Sequence, residues 1–106
     1  MTEFEQMIFG IISSAGDSRA KAFEAMKEIR RGNYDQARNM LEASREADTE
    51  AHNIQTKLIQ QEITEENKPE LTLLMVHAQD HYMTSQLARD MVEELVNIFE
   101  AKEKGE

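Results

Sequence analysis

The chain has 106 residues, read as a single domain spanning 1–106, and it holds no cysteine, which removes disulfides and thiolate chemistry. Its net charge of −9, from 21 acidic residues against 12 Lys and Arg, argues against nucleic acid and suits a basic protein partner or simple solubility. No apolar run reaches membrane-spanning length, and Met1–Gln6 lacks the basic start and apolar core of a signal peptide, so a cytoplasmic location without membrane insertion is expected.

One proline and four glycines leave little turn material, and apolar residues recur at helical spacing almost throughout. Phe4, Met7, Ile8, Ile11, Ala15, Ser18, Ala22, Met26 and Ile29 form the stripe of a first helix. Gly16-Asp17-Ser18 is expected to make it irregular, by a kink or by a restart from a cap at Asp17 or Ser18. Arg30-Arg31-Gly32-Asn33 stops it, because basic residues suit the last turn and Gly32 takes the left-handed conformation. A second helix is predicted from about Tyr34 to about Ile63, on the stripe Ala37, Met40, Leu41, Ser44, Ala47, Ala51, Ile54, Leu58 and Ile59. Gln55 falls inside that stripe and reads as an amide satisfied in the core; His52 lies at its edge and reads as a boundary residue. In the second connection, Asn67 is the expected N-cap and Pro69 the expected first-turn residue. They begin a third helix, from about Lys68 to about Lys102, with a charged tail to Glu106 that is expected to fray. Three long helices with short joints define an all-α fold, an antiparallel three-helix bundle.

The third helix carries more apolar surface than a bundle of three can cover. On a wheel of about 100° per residue, Gln79, Gln86, Arg89, Asp90, Glu93 and Asn97 make a narrow polar strip. The apolar sector spans roughly 200°, against the stripe of about 100° of an ordinary surface helix. Self-association is therefore expected. Asp80 projects near Leu73, Leu87, Met91 and Ile98; if that flank is the seam, symmetry brings Asp80 against its own copies. Clustered carboxylates need protons or a cation between them, and an all-oxygen set prefers a hard ion.

Within that sector lie His77, Asp80 and His81, stacked on one helix face over little more than a turn. Such ionisable groups on a face meant for burial are costly unless paired, metal-bound or used in chemistry. Three readings compete. Two histidines at i and i+4 with a carboxylate can hold a transition metal, although a hydrolytic zinc helix carries its base where Ala78 stands. The trio can be structural. Or His77 can be a nucleophile, its neutral nitrogen taking a phosphoryl group while the other nitrogen is held by an acceptor. From the residues alone the nucleophile and metal readings stand level.

Met75-Val76-His77-Ala78-Gln79-Asp80-His81-Tyr82-Met83-Thr84 resembles the active-site segment of the lactose/cellobiose-type enzyme IIA proteins of the bacterial phosphoenolpyruvate-dependent sugar phosphotransferase system. The likeness extends through Ala15-Gly16-Asp17-Ser18-Arg19 and Ala51-His52-Asn53-Ile54-Gln55-Thr56, nearly the whole chain. It implies a cytoplasmic homotrimer of three-helix subunits with active sites at subunit interfaces. His77 matches the phosphorylated histidine, which takes its phosphoryl group from the phosphocarrier protein HPr and passes it to a cysteine of the cognate enzyme IIB. Asp80 matches the aspartate that gathers, from three subunits, around one metal ion on the threefold axis, commonly Mg²⁺. His81 and Gln79 match the motif as pocket residues that hydrogen-bond the phosphoryl group or His77. Tyr82 departs from it, standing where an aliphatic residue is common, with its ring toward the edge of the apolar sector. The resemblance implies uptake of a β-linked disaccharide, of lactose, cellobiose or chitobiose type, with no sugar bound by this chain itself. The alternative is a non-catalytic metal-binding helical oligomer or interaction module.

Overall fold

A computed structural model describes residues 1–105 as helices α1 (Glu3–Arg30), α2 (Tyr34–Ala47), α3 (Thr49–Thr64) and α4 (Leu73–Glu103), with no strand among them. α2 and α3 are one rod broken at Asp48, so the chain is three rods running up, down and up, 55 Å in its longest dimension. Glu106, the end of the tail, lies outside the described residues.

α1 opens on a capping box: the Thr2 hydroxyl accepts the Glu5 N–H at 3.0 Å, and the Glu5 carboxylate accepts the Thr2 N–H at 3.0 Å. The helix then runs unbroken through Gly16, against the expected irregularity. Asp17 does not cap; it pairs with Lys21 at 2.7 Å on the outer face. Ser18 turns inward to Ser44. The predicted stop does occur. Gly32 sits at φ +77°, its N–H reaches the Ile29 carbonyl at 3.0 Å, and the Asn33 N–H reaches the Glu28 carbonyl at 2.9 Å. These two bonds close the left-handed C-terminal motif that only glycine enters without cost.

The break in the second rod was not expected, and its cause lies in α1. In a continuous helix the Ala51 N–H would bond the Ala47 carbonyl. Here the Ser14 hydroxyl stands between them, accepting from Ala51 N–H at 3.1 Å and donating to Ala47 O at 2.6 Å. A side chain inserted into the ladder bends the rod there. Asp48, at the bend, is 3% exposed and bonds Arg89 of α4 at 3.1 Å.

α4 begins later than predicted. Asn67 is not its cap but a left-handed turn residue, φ 51°, and Pro69 lies in the connection. Thr72 is the N-cap, its hydroxyl accepting the Met75 N–H at 3.1 Å. Asn tolerates left-handed backbone, so after Glu65 at φ 59° it serves to reverse the chain and leaves the cap to the next hydroxyl. At the other end α4 stays helical through Glu103.

Two apolar clusters hold the rods together. One joins Ile8, Ile11, Ala15, Ala51, Leu58, Met75, Ala78 and Tyr82. The other joins Ala25, Ile29, Ala37, Leu41, Val92 and Val96. Between them lies a buried polar layer of Ser14, Ser18, Ser44, Asp48, Ser85 and Arg89. Its donors are assigned by elimination: Ser44 donates to the Ser18 carbonyl at 2.7 Å, so Ser18 donates to Ser44 and accepts from Arg89 at 3.3 Å. Outside it, Arg38 pairs with Glu100 and Arg45 with Glu93, tying α2 to the second half of α4. The Arg38 hydrogen bond holds the Glu100 carboxyl below its ordinary range.

Arg89 corrects the helical wheel. Placed there on the polar strip, it is 9% exposed in the fold. The inward face of α4 is Met75, Ala78, Tyr82, Ser85, Arg89, Val92 and Val96. The bulkier Leu73, Val76, Met83, Leu87, Met91, Ile98 and Phe99 point outward. Ala78 and Ser85 of the inward face are small, and α1 packs along α4 with its own small residues Ala15, Ser18, Ala22 and Ala25 buried, which allows a close approach.

Candidate functional site

His77 stands exposed in the second turn of α4, one turn above the capped end. The later start of the helix brings it nearer the N–H groups at that terminus, a favourable end for an added negative charge. Its side chain leans back toward them, as helical side chains do. The ring of His81, half-buried one turn further on, lies edge-on to it with centroids 4.5 Å apart and planes at 69°. Asp80 is exposed on the neighbouring flank; Thr84 donates to its backbone carbonyl at 2.7 Å, and its carboxylate has no side-chain partner among the described residues. So the two histidines do meet, and the face carrying them, expected to be buried, is open in the single chain. The exposed Leu73, Val76, Met83 and Leu87 surround the trio.

Gln79 is not brought to His77. It lies on the α3 side of the helix, where its amide reaches the Met75 sulfur at 3.5 Å. There it lines a cleft of about 400 Å³ with Gln55, Leu58, Ile59 and Met75. Gln55 also departs from expectation, since its side-chain oxygen is buried with no hydrogen-bond partner among the described residues. A pocket role for Gln79 beside His77 within one chain therefore has no geometric basis.

Two groups take places the sequence did not suggest. Tyr82, expected at the edge of the apolar sector, is 5% exposed, and its hydroxyl meets His52 Nδ1 at 3.1 Å and Gln86 at 3.0 Å. Arg89 and Asp48 form the buried pair described above. Burial pushes the Asp48 carboxyl above its ordinary range, and the Arg89 hydrogen bond and charge offset this only in part. The available signal was spacing. Ala78, Tyr82, Ser85, Arg89, Val92 and Val96 follow the alternating four and three steps of an inward seam, but one of them is a charge.

Among the described residues no three His, Asp or Glu side chains converge as a metal-binding group. Asp80 offers one carboxylate per chain. That suits an octahedral ion with a mainly oxygen shell only where several copies of the chain meet.

The fold and site define a small all-helical bundle with paired imidazoles on an exposed apolar surface of its last helix. Residues 6–100 match the family described as PTS system, Lactose/Cellobiose specific IIA subunit, and the chain belongs to this family of phosphotransferase enzyme IIA components. It is 42% identical over 98 residues to the N,N'-diacetylchitobiose-specific EIIA component of Escherichia coli K12, covering 92% of this chain and 84% of that one. The fold superposes on the cellobiose-specific enzyme IIA of Bacillus anthracis with a TM-score of 0.91 at 35% identity, covering 98% and 94% of the two chains. It superposes on the chitobiose IIA of Escherichia coli, solved in complex with HPr, with a TM-score of 0.80 at 39% identity, covering 97% and 99%.

Proposed function

We propose that this chain is a cytoplasmic phosphoryl carrier whose working atom is an imidazole nitrogen of His77. The nitrogen lone pair attacks the phosphorus of phospho-HPr; the new phosphorus–nitrogen bond forms as the bond to the donor breaks, and the donor keeps that electron pair. A cysteine thiolate of the cognate enzyme IIB then attacks the same phosphorus, and His77 is released. The chain binds no sugar; it serves uptake of a β-linked disaccharide of lactose, cellobiose or chitobiose type.

The observation that carries this reading is the exposure of His77, edge-on to His81 and at the N-terminal end of α4. Phosphoryl transfer between proteins asks for positioning and charge compensation more than for acid–base machinery. His81 supplies a neighbouring donor. The Val76 and Met83 part of the apolar rim docks a partner and keeps water from the phosphoryl group. The solved complex of the Escherichia coli chitobiose IIA with HPr supports HPr as donor here.

The assembly proposed with it is a homotrimer. The exposed apolar flank of α4 runs through Leu73, Leu87, Met91 and Ile98 and includes Asp80, so joining three such flanks removes the apolar surface from water. It also gathers three carboxylates, which would hold one Mg²⁺ and be relieved of mutual repulsion by it. Gln79 joins a phosphoryl pocket in this reading only from a neighbouring subunit.

Incubation with phosphoenolpyruvate, enzyme I and HPr tests the carrier function. Intact-mass measurement should show one acid-labile phosphoryl group per chain, absent in His77→Gln. Labelling that survives in His77→Gln would move the acceptor elsewhere, and no labelling of the unmodified protein would leave an interaction module.

A further inference from the structure

We infer that Tyr82 and His52 are a positioning pair that sets the rotation of α4 about its own axis, and so the place where His77 meets its donor. The inference rests on the carrier reading above. Beyond the bend at Asp48, α3 leans on α1. It touches α4 through the Leu58–Met75 cluster and through one side-chain hydrogen bond among the described residues, His52 Nδ1 to the Tyr82 hydroxyl at 3.1 Å. The same hydroxyl accepts from Gln86 Nε2 at 3.0 Å.

One direction in that chain follows from its members. A phenol has one proton, and an amide nitrogen only donates. Gln86 therefore donates to Tyr82; the Tyr82 proton is assigned to His52 Nδ1, one of two directions open to this contact, and the ring tautomer distinguishes them. Burial, with the Asp48 charge, holds the Tyr82 phenol above its ordinary range and keeps that proton in place. In that arrangement the His52 ring carries a proton on Nε2, and the ring is exposed.

What the chain restrains is rotation. The inward face of α4 at this level is Ala78 and Ser85, too small to resist a roll, and Met75, flexible enough to follow one. Tyr82 is the large side chain of that layer, and its hydroxyl is the polar link to α3. An exposed side chain stands about 6 Å from a helix axis, so a roll of about 10° displaces an imidazole by about 1 Å. Misplacement by about 1 Å is enough to slow transfer on the order of 100-fold. His52 is itself placed by the Ser14 wedge and the Asp48–Arg89 pair, one turn before it.

Tyr82→Phe removes one oxygen and keeps the ring in its cluster. In single-turnover transfer from phospho-HPr to the intact protein, the rate constant at saturating donor should fall about tenfold or more. The donor concentration for half-saturation should not change, and His77 should still reach full labelling. His52→Leu should lose as much, whereas His52→Gln, whose amide oxygen can accept the Tyr82 proton, should recover most of the rate. Nitrogen-15 NMR should show His52 as the Nε2–H tautomer, a preference lost in Tyr82→Phe. Unmodified rates in Tyr82→Phe and His52→Leu overturn the inference. So do equal losses in His52→Leu and His52→Gln, or a His52 that carries its proton on Nδ1. Failure of the carrier reading would look different: the unmodified protein would take no phosphoryl group at all, and the tautomer would still report the hydrogen-bond chain.

Discussion

Arg89 and Asp48 are 10% and 4% exposed at the side chain, and each is the other's ion-pair partner in the middle of the bundle. A charge withdrawn from water is tolerated only beside its partner, so cutting one member should cost more than replacing both. Arg89→Ala should lower unfolding free energy in urea by about 3–5 kcal/mol, because it strands a buried carboxylate, whereas Arg89→Met with Asp48→Leu should cost far less. Equal costs would contradict this. At this scale the sequence was partly readable. The spacing of His77, Asp80 and His81 was enough to place them on one face, and the two rings do meet. Gln79 shares the motif but faces α3, because two residues along a helix turn a side chain by about 200°. Arg89 was misplaced because hydropathy counts a guanidinium as surface, while a buried carboxylate from another helix can draw it inside.

Helix ends and breaks depended on which residue supplied the missing hydrogen bond. The stop at Gly32 was legible because its signals are contiguous: basic residues, a glycine and a turn. The start of α4 was not, because Asn67, Pro69 and Thr72 all carry start signals and only one of them caps. Thr72→Ala should cost about 1 kcal/mol of stability by thermal or urea unfolding. Asn67→Gly, at a left-handed residue outside the helix, should cost nothing or stabilise slightly. The opposite order would return the helix start to Lys68. The break at Asp48 had no local signal, since the hydroxyl that causes it belongs to Ser14, 37 residues before the Ala51 N–H it accepts.

At the scale of the whole molecule, α4 turns Met75, Ala78, Tyr82, Ser85, Arg89, Val92 and Val96 inward and leaves Leu, Val, Met, Ile and Phe side chains on its outer face. In the proposed trimer the Leu73, Leu87, Met91 and Ile98 flank of the outer face is a shared core, with Asp80 as its charged element. Asp80→Leu should abolish metal binding, read by elemental analysis after dialysis against Mg²⁺. The same protein should remain trimeric or become firmer by light scattering with urea, since clustered like charges are removed. A dissociated Asp80→Leu protein would contradict this.

Periodicity, composition and the stop at Gly32 were enough, in the sequence by itself, to determine an all-helical chain of three rods, an apolar sector on the last rod too wide for one bundle, and a face carrying His77, Asp80 and His81. These depend on residues within a few turns of one another, where helix geometry is already known. Only the tertiary structure decided which side of α4 turns inward, where the second rod bends, and that Tyr82 meets His52. Those outcomes depend on the distance between helices and on hydrogen-bond partners far away in the chain, and neither is encoded in any local window.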